Sequence, residues 1–397
     1  MNYSSKDDLI SPEDEDNIVA ALEQPSRVHR IMILGETSLM KKVRIALRKS
    51  FPVLGHLDLD SPDFSTTPVI PRRFSGGSAP HLQHVRLNCM TFPQLRRLSS
   101  SARNIVTLRL EDIPWTPEFS PDDMVRSLAM LTRLTTLSLM ISFYNGLPDQ
   151  WTSHPDPPAL AIFPVLTHFN YIGGHEYLEV FLARIKAPQV SFVVIEYFIH
   201  ENNQVSQLSQ FIERTENLKI DQFACARVFF YAEESRFELN CPRGPAFLSL
   251  TITGFTVLEI QVMVMADVLD GFAATFSKVD DLFVRGDLAT TGTAIHRWEP
   301  YFGLFPAVKT LRLSGGVAVL ITSALEGTPE EMAANVWSAL RLIWLIECED
   351  EEEDEDEDDW KQQVGLMERF LSLRQHFGCP VTILDMDNEV VEAEQRQ

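Results

Sequence analysis

Apolar residues recur along the chain in a fixed frame, in which an opening residue is followed by apolar residues three, six and eight positions later. The clearest copy is FPVLGHLDLD, which opens at Phe51 and has Leu54, Leu57 and Leu59 at those positions. The other copies open at Pro25, Ala79, Ala102, Leu131, Phe163, Ala187, Thr215, Gly244, Phe276, Phe305 and Trp337. Successive copies are about 28 residues apart, and this regular spacing indicates an internal repeat.

The frame predicts one short strand per repeat, because its last two apolar positions are two residues apart and face the same side of a strand. Between the copies, apolar residues at three- and four-residue steps predict helices at 93–100, 121–130, 176–186, 205–216 and 260–269. One strand and one helix in a period of this length are typical of leucine-rich repeats. The predicted fold is therefore α/β: a leucine-rich-repeat solenoid, curved into a horseshoe, of about twelve strand–helix units with parallel strands on its concave face.

The two ends of the chain differ from the repeats between them. Residues 1–24 are acidic and polar, and we expect them to be disordered or to cap a leucine-rich-repeat domain at 25–397. At the other end, 360–377 has an amphipathic pattern that stops at Gly378, and 381–384 is a short apolar stretch. This pattern predicts a C-terminal cap at 360–397.

An unbroken run of eleven carboxylates occupies 349–359, directly after the strand predicted in the Trp337 repeat. Adjacent like charges repel one another and cannot pack into a core, so we expect a disordered acidic loop there. Deletion of 349–359 should leave the melting temperature unchanged or slightly raised, because it removes this repulsion and an ordering cost. A large fall in melting temperature, measured by circular dichroism, would show instead that the run is structured or binds a cation.

The charge balance and the cysteines restrict the partners and the compartment. With 34 basic and 56 acidic side chains, the net charge is −22, whereas nucleic acid and anionic membranes require a basic surface. We therefore expect neither partner. The start of the chain has no apolar signal core, and the five cysteines are scattered without a CxxC pair. We expect a monomer in the cytoplasm or the nucleus.

Candidate contact residues follow from the frame, because the residue between its last two apolar positions projects from the concave face of such a repeat. In the well-defined copies this column reads Asp58, Arg86, Arg109, Ser138, Asn170, Val194, Phe283, Arg312 and Trp344. Arginine and aromatic residues are enriched among the side chains that dominate binding at protein interfaces. The residues predicted to contact a protein partner are Arg86, Arg109, Asn170, Phe283, Arg312 and Trp344.

Enzyme and cofactor motifs are absent from the sequence. It contains no GxSxG, GxGxxG or HExxH, and GETSLMKK at 35–42 lacks the second glycine that a phosphate loop needs before its lysine. Asp58, Asp60 and Asp63 have a spacing that could hold a hard cation, but isolated carboxylates at strand ends are usually solvated. No catalytic residue, cofactor or metal is therefore predicted. A hydrolase built on a repeat scaffold, or a doubly wound α/β enzyme, stays open as the alternative.

A more specific likeness rests on an ordered series of segments. They are SGGSAPHLQHVRL at 75–87, SPDDMVRSLAMLTRLTTLSL at 120–139, HEYLEVFLARIKAPQV at 175–190, QLSQFIERTENLK at 207–219 and ARVFF at 226–230. In this order they resemble the F-box-like leucine-rich-repeat proteins that are abundant in mushroom-forming fungi, over roughly 18–387. Proteins of that family place an F-box before the repeats. The F-box docks the adaptor of a cullin-based ubiquitin ligase, and the repeats hold the substrate.

The resemblance implies that this chain is the substrate-recognition part of an F-box-type ubiquitin-ligase receptor. The 24 residues before Pro25 are acidic and do not have the leucine–proline start of an F-box. We therefore expect binding of the ligase adaptor only if an F-box is encoded upstream. An F-box-free scaffold or decoy is the alternative. In either case the expected partner is a protein of unknown identity on the concave face.

Overall fold

The computed structural model describes residues 2–3, 12–61, 79–90, 95–114, 120–142, 160–198, 206–218, 223–241, 244–286, 298–333, 335–346, 365, 367–384 and 390–391. Asp63 and the acidic run at 349–359 lie outside these residues. The chain divides into two compact units: Met1–Tyr197 with Gln210–Asn217, and Phe198–Ser209 with Leu218–Gln397. Both units contain strands and helices and are of the α/β class.

The first unit contains a sheet whose described pairings are all parallel. Its strands are β1 (Asn2–Tyr3), β2 (Arg30–Leu34), β3 (His56–Asp60), β4 (His84–Asn88), β5 (Thr107–Pro114), β6 (Thr136–Ser142), β8 (His168–Gly174) and β10 (Phe192–Phe198), in that order across the sheet. Two short strands, β7 (Ala161–Ile162) and β9 (Ile185–Lys186), form a separate parallel pair. The helices are α1 (Pro12–Leu22), α2 (Thr37–Ala46), α3 (Leu95–Ser101), α4 (Pro121–Leu128), α5 (His175–Leu182) and α6 (Ser206–Glu213, in this unit from Gln210 onward).

The second unit contains a mixed sheet. Its strands across the sheet are β13 (Phe247–Thr253), β12 (Glu234–Asn240), β11 (Cys225–Phe230), β14 (Asp281–Gly286), β15 (Thr310–Ser314), β16 (Leu342–Ile346), β17 (Thr382–Leu384) and β18 (Val390–Val391). The helices are α7 (Leu258–Asp270), α8 (Glu299–Leu304), α9 (Gly316–Glu326), α10 (Glu330–Ala333) and α11 (Glu368–His376). β12 is antiparallel to both neighbours and β18 is antiparallel to β17. The prediction of parallel strands throughout is wrong at these two strands.

The strands of the well-defined repeats lie where the repeat frame predicts them. The last two apolar positions of the frame are the buried residues of each of these strands. Leu57 and Leu59 are buried in β3, and the side chains between and beside them are half-buried. They lie in register with Ile31 and Ile33 of β2. The same register continues into β4. One face of the sheet therefore forms the core, and the residues between the frame positions line the other face.

The frame fails at its poorest copy, which opens at Thr215. It predicts a strand near 218–223, whereas the structure begins β11 at Cys225 and then returns the chain through β12. The turn between them is closed by Tyr231, whose N–H donates to the Glu234 carbonyl at 2.8 Å. Both strands alternate buried and half-buried or exposed residues, as two-residue periodicity requires. The additional strand explains why this copy departs from the repeat.

A helix lies near each end of the described chain. Within 1–24, α1 packs on α2 and buries Ile18 and Leu22. At the other end, α11 buries Phe370 and is followed by Gly378 at a positive φ of 72°, a conformation that glycine adopts without strain. Within the described ranges, no helix is both long enough and apolar enough to cross a membrane.

Candidate functional site

The contact residues predicted in the first unit lie in one row across the sheet. Arg86 of β4 is directly opposite Arg109 of β5, which is opposite Ser138 of β6. Ser138 is in turn opposite Asn170 of β8. The residues that recur at this position of each repeat therefore form one row in space, on the face of the sheet that points away from the core.

Arg86 is not a free cation. Its Nε donates to Glu111 Oε2 at 2.7 Å, and its Nη1 donates to Asp58 Oδ1 and Asp60 Oδ2, both at 3.3 Å. Burial lowers the pKa of the guanidinium, but these three carboxylates outweigh that effect and raise the pKa above its ordinary value. One positive charge therefore faces three negative charges, and the immediate surroundings of Arg86 are acidic rather than basic.

The neighbouring positions of this row differ from Arg86. Arg109 is exposed and forms no ion pair with any described residue. Asn170 donates through Nδ2 to Ser138 Oγ at 3.3 Å, while its Oδ1 is buried without a described hydrogen-bond partner. In this unit, Arg109 is the arginine of the row that is open to a partner.

The contact residues predicted in the second unit also form one row. Phe283 of β14 lies opposite Arg312 of β15, and Arg312 lies opposite Trp344 of β16. The Arg312 guanidinium carbon is 5.1 Å from the centre of the Trp344 ring, within the range of a cation–π contact. Its Nη2 donates to Asp281 Oδ2 at 2.6 Å. The ion pair and the ring together fix the orientation of Arg312.

Three further residues extend this row into a larger surface. Arg227 of β11 lies opposite Phe283, and Phe229 of β11 lies opposite Arg285 of β14. Each arginine therefore has an aromatic side chain on an adjacent strand. We call this surface the arginine–aromatic face; it consists of Arg227, Phe229, Phe283, Arg285, Arg312 and Trp344.

Ring contacts connect the aromatic residues of this surface. The Phe229 and Phe283 rings meet edge to face, with 5.7 Å between their centres. On its other side Phe229 stacks with Tyr231 at 6.0 Å, and the Arg236 guanidinium lies 5.7 Å from the Tyr231 ring. Such contacts restrict side-chain rotation, so a partner would lose less conformational entropy on binding these residues than on binding mobile side chains.

The sequence frame did not find Arg227, Phe229 or Arg285. The first two lie on β11, which the poor copy at Thr215 placed too early in the chain, and Arg285 lies beyond the last frame position of its repeat. A signal was nevertheless present. The segment CARVFF alternates buried Ala226 and Val228 with the two outward residues Arg227 and Phe229.

The described residues offer little for covalent or metal chemistry. Burial raises the pKa of the Cys89 thiol to about 12, and burial also raises the pKa of the Cys225 thiol. Both thiols are therefore protonated at neutral pH and are poor nucleophiles. His175 is buried, with no described partner at either ring nitrogen. Among the residues that the structure describes, no group of three or more His, Cys, Asp or Glu side chains could hold a metal ion.

Comparisons with known proteins include a distant structural likeness. No protein-family model matches the chain. No curated protein matches it either. Among solved structures, it is similar to the leucine-rich repeat-containing protein LegL7 from Legionella pneumophila, with 10% sequence identity and a TM-score of 0.26 over 75% of this chain and 80% of that chain.

Proposed function

We propose that the chain is a non-enzymatic leucine-rich-repeat module that binds another protein through the strand faces of its sheets. The observation that carries the proposal is the register of Phe283, Arg312 and Trp344, which presents two aromatic rings and an oriented guanidinium side by side. Arginine and aromatic side chains of this kind supply most of the free energy at protein interfaces. A solenoid of such repeats offers an extended surface suited to a protein rather than a deep pocket for a small molecule.

The resemblance to F-box-like proteins makes the proposal more specific. In that setting the module is the substrate-recognition part of a ubiquitin-ligase receptor, and the strand face holds the protein to be ubiquitinated. A scaffold or decoy role uses the same face without ubiquitin transfer. Ubiquitination of the captured partner, assayed in a reconstituted ligase, separates these two roles.

The test of binding is loss of partner capture in face variants. A partner is first identified by proximity labelling and co-purification, and its affinity is then measured by calorimetry. The double variant Phe283→Ala/Trp344→Ala should weaken binding by roughly thirtyfold or more, since truncation of one interface anchor typically costs about 2 kcal/mol. Arg109→Ala is the cleaner probe of the first unit, because replacement of Arg86 would also leave three carboxylates without their cation.

Two controls separate binding from folding. Trp344→Phe keeps an aromatic ring beside Arg312 and should retain most of the affinity. The melting temperature of each variant, compared with that of the parent, shows whether the half-buried rings of Phe283 and Trp344 support the fold. If correctly folded Phe283→Ala/Trp344→Ala and Arg109→Ala variants bind the partner as tightly as the parent chain, the strand faces are not the binding site.

A further inference from the structure

Two histidine rings lie side by side on the strand face of the first unit. His56 of β3 is directly opposite His84 of β4, and their ring centres are 5.6 Å apart. We propose that these two rings together bind a divalent transition-metal ion that prefers nitrogen ligands, with zinc as the representative ion. The site is independent of the protein-binding function proposed above, because neither histidine belongs to the row of predicted contact residues.

The pair arises from the repeat. His56 and His84 occupy the same position in consecutive repeats, and consecutive repeats place that position on adjacent strands. Neighbouring strands are about 4.8 Å apart, so equivalent side chains of two such repeats come into contact. His168 has the same position in a later repeat, but the ring centre 5.3 Å from its own belongs to Phe192 rather than to a second histidine. His168 is therefore a natural comparison for the pair.

The separation of the two rings fits a shared metal ion. A zinc ion lies about 2.0–2.1 Å from an imidazole nitrogen, and therefore about 3.2 Å from the centre of that ring. Two rings that share a tetrahedral ion then have their centres about 5.2 Å apart. The observed distance between the ring centres, 5.6 Å, is close to this value, and the ring planes are tilted by 37°. Rotation about the Cβ–Cγ bonds turns one nitrogen of each ring toward a common ion.

The ring nitrogens of the pair are available as ligands. Neither His56 nor His84 forms a side-chain hydrogen bond or an ion pair with a residue that the structure describes. In contrast, Nδ1 of His168 lies 2.9 Å from Thr167 Oγ1 and shares a proton with it. Both rings of the pair are half-buried. A metal therefore binds side chains whose motion is already restricted, which lowers the entropic cost of ordering them.

The charges around the pair oppose one another. Arg30 lies opposite His56 on β2 and repels a cation, whereas Asp58 lies two residues along β3 on the same face and attracts one. Over a longer range the chain carries a net charge of −22, which raises the local concentration of cations. The electrostatic surroundings therefore permit a divalent cation at the two rings.

Two protein ligands leave coordination positions for water. Zinc is usually four-coordinate in proteins. Among the residues that the structure describes, no group of three or more His, Cys, Asp or Glu side chains could hold a metal ion, so the histidine pair has no third protein ligand there. We therefore expect an ion that is bound more weakly, and exchanges more readily, than at a structural zinc site with four protein ligands.

Calorimetric titration of the full chain with Zn²⁺ tests the site at about pH 7.5, since only a neutral imidazole binds a metal. His56→Ala and His84→Ala should each weaken binding roughly tenfold or more, because loss of even a supporting residue of a metal site typically costs that much. His168→Ala is the matched control and should leave the affinity unchanged. Mg²⁺ should not displace the bound Zn²⁺, because it prefers oxygen ligands.

A second measurement needs no variant. Electron paramagnetic resonance of the parent chain with one equivalent of Cu²⁺ should show hyperfine coupling from imidazole nitrogens, and a spectrum of oxygen ligands alone overturns the proposal. Equal affinities of the parent chain and His56→Ala/His84→Ala for Zn²⁺ place the ion elsewhere and also overturn it. An equal loss of affinity in His168→Ala, or displacement of Zn²⁺ by Mg²⁺, has the same consequence.

Discussion

Replacement of Arg374 by leucine should lower the free energy of unfolding by about 4 kcal/mol. Arg374 lies on α11 and is fully buried, with a relative exposure of 0%. Its Nε donates to the Cys379 carbonyl at 3.1 Å, and its Nη2 donates to the Leu340 carbonyl at 3.0 Å. Its Nη1 donates to the carbonyls of Ala333 and Val336 at 3.4 Å. Leucine fills much of the space but leaves these buried carbonyls without donors.

Urea denaturation followed by far-ultraviolet circular dichroism measures this loss. Arg374→Lys should give an intermediate loss, because an ammonium group cannot reach all four carbonyls in the fork geometry of a guanidinium. Arg369→Leu is the matched control on the same helix, since Arg369 is exposed and makes one hydrogen bond, to the Glu326 carbonyl at 3.3 Å. Its effect should remain within about 0.5 kcal/mol. Equal urea midpoints for Arg374→Leu and the parent chain would mean that the four hydrogen bonds contribute nothing.

The strands of the well-defined repeats could be predicted from the sequence because their signal is local. The frame positions of the Phe51 repeat, Leu57 and Leu59, are two residues apart and buried in β3. Side chains on a strand alternate between a buried and an exposed face, so a short segment of sequence is enough to show which residues are buried. The same frame placed Phe283 and Arg312 correctly on the other face of the sheet.

The partners of those side chains could not be predicted, because they depend on strand register. Arg86 and Arg109 have similar positions in their repeats, yet Arg86 is bound by three carboxylates and Arg109 is exposed. The difference arises from Asp58 on the preceding strand and Glu111 on the following one, which are 28 and 25 residues away in sequence. Similarly, nothing in the segment around Arg374 identifies the distant carbonyls that it reaches.

The position of β11 was missed for a different reason. The Thr215 copy has Asp221 where the frame requires an apolar residue, and the chain inserts the antiparallel β12 before the next repeat. A fixed period cannot accommodate an additional strand, so the frame assigned the wrong residues to this part of the sheet. Consequently the frame did not find Arg227 and Phe229 of the arginine–aromatic face, which lie on β11.

Replacement of Arg184 by methionine should lower the free energy of unfolding by about 3 kcal/mol, because it leaves a partly buried carboxylate without its cation. Arg184 Nε lies 2.9 Å from Asp122 Oδ1, in a geometry that is not that of a well-aligned hydrogen bond. The two side chains are 8% and 17% exposed, so solvent screens their attraction only weakly. The pair connects the first turn of α4 to the residues that follow α5.

A double-mutant cycle identifies the origin of this loss. In Arg184→Met/Asp122→Asn the carboxylate is absent as well, so the double variant should be more stable than Arg184→Met alone, with a coupling energy of about 1–2 kcal/mol. Arg126→Met provides the exposed comparison on α4, the helix that carries Asp122. Arg126 and Asp123 form an ion pair at 3.1 Å, and their side chains are 58% and 49% exposed. Solvent screening should limit its effect to about 0.5 kcal/mol. If the losses from Arg184→Met and Asp122→Asn are simply additive in urea denaturation, the buried pair does not contribute as a pair, and Arg184 acts through the packing of its apolar stem.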